Sequence, residues 1–201
     1  ILMDNNVVAA PNFREIISEI RDIGFEAGAV IYRNGRSSQR RVDFNQGVDA
    51  RILCKSPEFL KQISSIAIRP LRIAFDHLGI IKPYEQSVRY AAEFGIFHLS
   101  NYMLYNFHDD PADLYTRMYK NIELNRELGI RIYSFPMRYQ PVQLKDRSHV
   151  GKKWTKYWLR SFQTMLQATR GIVSGAPEFF NIAYGANVEE FFDLLWYPEK
   201  F

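Results

Sequence analysis

The chain has 201 residues, of which 47% are hydrophobic and 15% aromatic, and this composition excludes a disordered protein because ample apolar surface is present to offset the entropy of ordering. No apolar stretch approaches the roughly 18 residues that a membrane-spanning helix needs, and no secretory signal is visible, so we expect a cytoplasmic protein. The net charge of +4 permits nucleic-acid binding, although such a surplus more often serves solubility.

Five apolar runs of strand length alternate with helix-like segments along the chain. The runs span residues 1–3, 42–44, 71–75, 99–104 and 130–135. Helices are predicted over about 13–23, 57–66, 84–94 and 111–128, the first of them opened by a capping box of Asn12 and Glu15. Three of these helices end in a glycine between apolar residues, which is typical of a left-handed helix stop. This alternation predicts an α/β fold with parallel strands.

The character of the sequence changes after residue 141. A polar loop leads into an amphipathic helix that carries Trp154, Trp158 and Phe162 on one face, and two shorter helices follow, the second opened by a capping box at Asn187. The aromatic side chains favour a core over a ligand site. We therefore predict a partial barrel over residues 1–141 and a helical extension, residues 142–201, that packs on it.

Polar side chains follow the predicted strands. They are Asp4, Asn5 and Asn6, then Asn45, Gln46 and Arg51, then Asp76, and finally Asn101, Tyr105 and Asn106 within and after the fourth strand. Because the carboxyl ends of parallel strands form one edge of a sheet, these side chains are expected to meet at a single site. Caps and turns explain each Asn or Asp taken alone, but their recurrence favours a pocket for an amino-acid or nucleoside group.

Two charged residues suggest more specific roles. Arg51 follows Gln46 and Gly47, where the backbone can approach a ligand, and its guanidinium suits a carboxylate; the alternative is a turn with a salt-bridged arginine. Asp76 can accept hydrogen bonds from the two hydroxyls of a ribose, or it can cap a helix or pair with Arg72. The sequence alone leaves both alternatives open.

Other chemistries have weaker support. Cys54 is the one cysteine of the sequence and the four histidines are scattered, which argues against a metal site built from cysteine or histidine within this chain. A basic stretch from Lys145 to Arg160 is interleaved with Trp154 and Tyr157. Such a stretch binds single-stranded nucleic acid in some proteins and forms a solvated helix face in more of them.

The order of the strand ends resembles the radical S-adenosylmethionine superfamily, in particular its uncharacterised iron-sulfur oxidoreductases. The sequences LMDNN at 2–6, DFNQGVDAR at 43–51, LRIAFD at 71–76 and YMLYN at 102–106 carry this resemblance over residues 1–141. It implies a partial (β/α)6 barrel of which five units are present here. The missing unit would be the first, whose loop of three cysteines binds a 4Fe-4S cluster, so we expect the chain to be a piece of a longer protein.

The resemblance also implies roles for individual residues. Asp4, Asn5 and Asn6 stand where the family binds the amino group of S-adenosylmethionine, Arg51 stands near its carboxylate, Asp76 near its ribose, and the strand from Asn101 to Asn106 along its adenine. Asn106 departs from the family pattern, in which many members have glycine. The intact enzyme would cleave S-adenosylmethionine to a radical that abstracts hydrogen from an unknown substrate, and the chain by itself is expected to be inactive in that chemistry.

Two other functions remain as alternatives. The first is a barrel lyase or isomerase that holds a divalent metal with Asp4, Asp49, Asp76 and His77. The second is an RNA-binding module that uses the basic helix near Lys152.

Overall fold

The computed structural model describes residues 1–3 and 6–195, which form a mixed α/β fold. Its strands are β1 (Val30–Arg33), β2 (Arg36–Gln39), β3 (Leu71–Arg72), β4 (His98–Tyr105) and β5 (Arg131–Arg138). Its α-helices are α1 (Phe13–Ile20), α2 (Ala50–Lys55), α3 (Glu58–Ile63), α4 (Ile81–Glu93), α5 (Pro111–Leu128), α6 (Lys156–Ala168), α7 (Pro177–Tyr184) and α8 (Val188–Leu195). Short turns of 3-10 helix cover Val7–Ala9 and Leu78–Ile80, and a π turn covers Arg21–Phe25.

Strands β3, β4 and β5 form a parallel sheet in chain order. Two earlier segments extend it through single parallel bridges, which join Leu2 to Phe44, Val42 to Ile68 and Val48 to Ile73. Five consecutive segments therefore lie side by side and run in the same direction, which confirms the predicted α/β class. No closed barrel is formed by the residues that the structure describes.

Helix α5 follows the prediction from its first residue to its last. The Asp110 carboxylate caps it by accepting a hydrogen bond from the Asp113 backbone N–H at 2.9 Å, Pro111 occupies the first turn, and Gly129 ends it with a φ of 64°. Asn12 precedes α1 as predicted, but its side chain makes no capping hydrogen bond. The predicted helix end at Gly24 takes the form of the π turn, in which this glycine has a φ of 84°.

The predicted helix over 57–66 was wrong at its end, and two elements were not predicted. Helix α3 ends at Ile63, and Ile66 instead forms an antiparallel bridge with Glu26. Helix α2 was not predicted, nor was the β1–β2 hairpin. The hairpin turn consists of Asn34 and Gly35, which both have positive φ, and an Asn-Gly pair is the usual sequence signal for such a turn.

The helices after residue 155 share one hydrophobic core with the sheet. Phe162 of α6 contacts the ring of Tyr105 edge-on at 5.1 Å, and the Tyr115 hydroxyl on α5 donates a hydrogen bond to the Gly185 carbonyl at 3.0 Å. Residues 196–201 of the predicted extension lie outside the described residues. Of the described helices, none combines the length and apolar character that crossing a bilayer requires.

Candidate functional site

The carboxyl ends of the first three parallel segments surround a cleft of about 180 Å³. We call it the rim cleft; its polar lining residues are Asn6, Gln46, Asp49, Arg51, Asp76 and His77. A larger cleft of about 510 Å³ shares Asp76 and His77 with it and continues past Leu104 and Phe107; we call this one the outer cleft. The structure thus brings together four predicted site residues from three separate segments, whereas Asp4 and Asn5 lie outside the described residues.

Gly47 shapes the floor of the rim cleft. It has a φ of 83°, and its N–H donates a hydrogen bond to the Phe44 carbonyl at 2.8 Å, so the chain turns sharply after the second segment. Two residues further on, the Asp49 backbone N–H donates a hydrogen bond to the side-chain oxygen of Asn6 at 3.3 Å. This contact ties the first segment to the start of α2.

Asp49 caps α2 and also holds Arg51. Its carboxylate accepts the backbone N–H of Arg51 at 2.8 Å and two guanidinium nitrogens at 2.6 to 3.1 Å. These hydrogen bonds from Arg51 lower the pKa of Asp49, against a smaller opposing effect of burial. The salt-bridged arginine is therefore the arrangement found, although the Arg51 side chain stays 65% exposed.

We expect Asp49→Ala to lower the free energy of unfolding by about 1 kcal/mol, because a helix cap is lost, while Asp49→Asn keeps the cap and loses only the charge. A carboxyl group with a lowered folded pKa stabilises above its ordinary pKa and loses that contribution as pH falls through the folded value. The stability difference between the wild type and Asp49→Asn, followed by urea unfolding, should therefore vanish in acid. A difference that grows on acidification would contradict this assignment.

Asp76 and His77 form the wall between the two clefts, and both are exposed. One Asp76 oxygen accepts the Leu104 N–H at 3.3 Å, which links the third and fourth strand ends. The His77 ring lies against Gly79, where an added Cβ would approach its Nδ1 to 2.8 Å. Asp76 is not the partner of Arg72, so one alternative for this carboxylate does not apply.

Arg72 instead pairs with Asp43 on the face of the sheet opposite the helices, a feature that was not predicted. The two side chains form a bidentate pair at 2.7 and 2.8 Å, and Arg72 also donates to the Ser100 hydroxyl at 3.1 Å. The hydrogen bonds to Asp43 raise the pKa of Arg72. The guanidinium lies 5.4 Å from the ring centroid of Tyr102 and 5.6 Å from that of Phe135. The alternation of side chains along the strands was the sequence signal that could have placed Arg72 on this face of the sheet.

Four of the predicted site residues that the structure describes do not line the rim cleft, and three of them are Asn101, Tyr105 and Asn45. Asn101 is buried on the helix side of β4, where it donates to the Tyr84 hydroxyl at 2.6 Å, and burial raises the pKa of Tyr84. Tyr105 is buried on the same side, which raises its pKa to about 12. Asn45 lies at the strand end, where its amide donates to the sulfur of Met3 at 3.8 Å. Successive residues of a strand face opposite sides of the sheet, and Asn101 and Tyr105 both face the helices, so neither lines the rim cleft.

Asn106 holds a loop in place. Its φ is 68°, its side-chain nitrogen donates to the carbonyls of Tyr139 and His149 at 3.2 Å each, and its side-chain oxygen accepts the Gly151 N–H at 2.7 Å. The residue is fully buried, so its amide is committed within the protein. The Asn106 side chain thus holds this loop, and the adenine contact predicted for its strand stays a prediction.

A buried ion pair lies beside the outer cleft and was not predicted. Arg117 of α5 is fully buried and donates to Asp109 at 3.0 Å and to the Phe75 carbonyl at 3.1 Å. Burial raises the pKa of Asp109 and lowers the pKa of Arg117. The sequence signal was an arginine among the inward-facing residues Leu114 and Met118.

The structure describes most of the residues of the two alternative sites. No three His, Cys, Asp or Glu side chains within 1–3 and 6–195 are grouped as a metal site would require, and Asp4 of the proposed set lies outside this range. In the basic stretch, Trp154 is buried and directs its ring N–H towards Asp109 at 3.4 Å, so it offers no stacking surface, whereas Tyr157 is 53% exposed. Lys153 lies 3.4 Å from the Asp110 carboxylate.

Comparisons of this chain with models of known protein families, with curated proteins and with solved structures found no match. The functional assignment therefore depends on the chemistry of the two clefts.

Proposed function

We propose that this chain is the substrate-side part of a radical S-adenosylmethionine oxidoreductase, with the five parallel segments as part of a (β/α) barrel. In this proposal the rim cleft and the outer cleft together bind S-adenosylmethionine. The observation that carries it is the meeting of Asn6, Gln46, Arg51 and Asp76, from three consecutive segments, at one cleft. This is the position at which parallel α/β folds bind their ligands.

The chemistry of the clefts supports a ligand with a ribose and an amino-acid group. One oxygen of Asp76 accepts the Leu104 N–H and the other has no partner among the described residues, so the carboxylate can accept hydrogen bonds from vicinal hydroxyls. Leu104 and Phe107 give the adjoining outer cleft an apolar surface suited to a purine base. Phe107 is 39% exposed, in contrast to the buried Asn106.

Arg51 is the candidate for the carboxylate of the ligand. Its Nε and Nη2 are engaged by Asp49, while Nη1 has no hydrogen bond within the described part of the chain. Asn6 has its side-chain oxygen engaged by Asp49, which leaves its amide nitrogen as a donor towards the cleft. An incoming carboxylate would thus meet one guanidinium nitrogen and one amide.

The residues of this chain do not fit a 4Fe-4S cluster. Such a cluster takes three cysteine thiolates in the family that this sequence resembles, and the chain contains Cys54 alone. Cys54 lies on α2 with its sulfur 3.5 Å from the Arg51 carbonyl. The proposal for the chain itself is therefore limited to binding the nucleoside and its amino-acid group.

Titration calorimetry with S-adenosylmethionine tests this proposal. We expect binding that Asp76→Ala weakens by about tenfold or more, because a charged hydrogen-bond acceptor is lost, and that Arg51→Ala weakens to a smaller degree. Asp22→Ala and Arg21→Ala are matched controls, since both residues are exposed in the π turn after α1. Absence of binding, or equal loss in the Asp22→Ala control, would contradict the proposal. Tight binding of magnesium or manganese without S-adenosylmethionine would favour the metal-dependent alternative.

A further inference from the structure

A third cleft, of about 210 Å³, lies at the amino ends of the parallel strands, away from the rim cleft. Its walls are the turn at 27–29, the end of β2, the chain before β3 and the turn at 94–98. The ionisable side chains that line it are Arg40, Arg69 and His98. Every ionisable side chain in its lining is therefore basic.

The β1–β2 hairpin extends this basic character outwards. The stretch 27–41, which includes the hairpin, contains Arg33, Arg36, Arg40 and Arg41 and no acidic residue. All of β2 is exposed, and of β1 only Ile31 is partly buried. Tyr32 presents an aromatic ring that is 78% exposed; it pairs with Ser37 and so lies on the face of the ribbon opposite to the paired Arg33 and Arg36.

The arginines of this surface have neutral partners. Arg40 donates to the Ile23 carbonyl at 3.2 Å and lies over the Phe25 ring, and Arg69 donates to the Gln39 side chain at 3.2 Å. Across residues 1–3 and 6–195, none of Arg33, Arg36, Arg40, Arg41 and Arg69 forms a salt bridge with a carboxylate. Their positive charge is therefore not neutralised by these parts of the chain.

The environment of His98 shows the same concentration of positive charge. Its pKa is lowered first by burial and then by the positive charges of Arg69, Arg131 and Arg41. A two-stranded ribbon with most of both faces in water also gains little stability from burial. A concentration of guanidinium groups on such a ribbon and in the adjoining cleft favours an anionic partner that covers both.

We infer that this surface, formed by the β1–β2 ribbon and the arginine-lined cleft below it, binds the phosphate backbone of a single-stranded nucleic acid. The arginines pair with phosphates, and Tyr32, on the other face of the ribbon from Arg33 and Arg36, provides a ring on which a base stacks where the strand passes around the ribbon. The exposed aromatic ring favours a single strand over a duplex, whose bases are already stacked. This activity is independent of the rim cleft and of its proposed ligand.

Fluorescence anisotropy with a labelled mixed-sequence RNA oligonucleotide tests the inference. We expect binding that weakens steeply with salt, and Arg33→Glu/Arg36→Glu should weaken it by about tenfold or more and reduce the slope of affinity against salt concentration. Tyr32→Ala should weaken it by about fivefold or more through lost stacking. Lys152→Glu/Lys153→Glu, with the same change of charge on another exposed basic segment, is the control and should have a smaller effect.

Four results would overturn the inference. They are no binding at low salt, a greater loss in the lysine control than in the arginine variant, equal competition by polyglutamate, and tighter binding of duplex than of single strand. The second result would transfer the site to the segment near Lys152, and the third would indicate an acidic protein partner. Circular dichroism and thermal melting of each variant establish that it is folded, as expected for substitutions on an exposed ribbon.

Discussion

Replacing Arg117 by alanine is expected to lower the free energy of unfolding by about 3–5 kcal/mol, because it leaves the Asp109 carboxylate buried without its cation. Within the described part of the chain, Asp109 retains the Phe107 N–H at 3.0 Å and the Trp154 ring N–H at 3.4 Å as its donors. The Phe75 carbonyl at the end of the third segment also loses its donor. Urea unfolding followed by circular dichroism measures the change.

A second variant separates the loss of a charge pair from the loss of packing. The double change Arg117→Met/Asp109→Asn buries no unpaired charge, so we expect it to be more stable than Arg117→Ala. Arg126→Ala is the control, since Arg126 is an exposed arginine of the same helix, and its effect should stay within about 0.5 kcal/mol. A loss of less than about 1 kcal/mol for Arg117→Ala would mean that water reaches Asp109.

The parallel arrangement could be predicted because each segment carries a complete local signal. Strand β4 has eight residues and contains the predicted run 99–104, and α5 has a cap, a proline and a terminal glycine in their usual places. The first two segments lack that length and join the sheet through single bridges, yet their order in the chain placed them correctly. Local sequence signals and the direction of neighbouring strands were sufficient for this part of the fold.

The site was predicted only where side chains follow a strand end. Asp76 and Gln46 come after their strands, so the edge of the sheet brings them to the rim cleft. Asn101 lies within β4, where a shift of one residue would move its side chain to the other face of the sheet. The composition of the strand does not indicate which face a polar residue takes. The Asp43–Arg72 pair was missed because it joins residues 29 positions apart. Such pairing depends on strand register, which a single sequence does not specify.

The prediction for Asn106 decides between a structural and a ligand-binding role. Asn106→Ala should lower the free energy of unfolding by about 2–4 kcal/mol, since the three hydrogen bonds of this buried side chain are lost and alanine is strained at a φ of 68°. Asn106→Gly also loses these hydrogen bonds but is not strained at this φ, so it should be about 1 kcal/mol more stable than Asn106→Ala.

Asn34 is the matched control for Asn106, because it has a φ of 50° at the exposed hairpin turn and no buried partner among the described residues. Asn34→Ala should therefore cost about 1 kcal/mol, from strain alone. Chemical unfolding measures all three variants, and titration with S-adenosylmethionine is run beside it. If Asn106→Ala left stability unchanged and weakened binding of S-adenosylmethionine, the side chain would be a ligand contact. The expected result is the reverse, because its amide is already saturated by the loop that it holds.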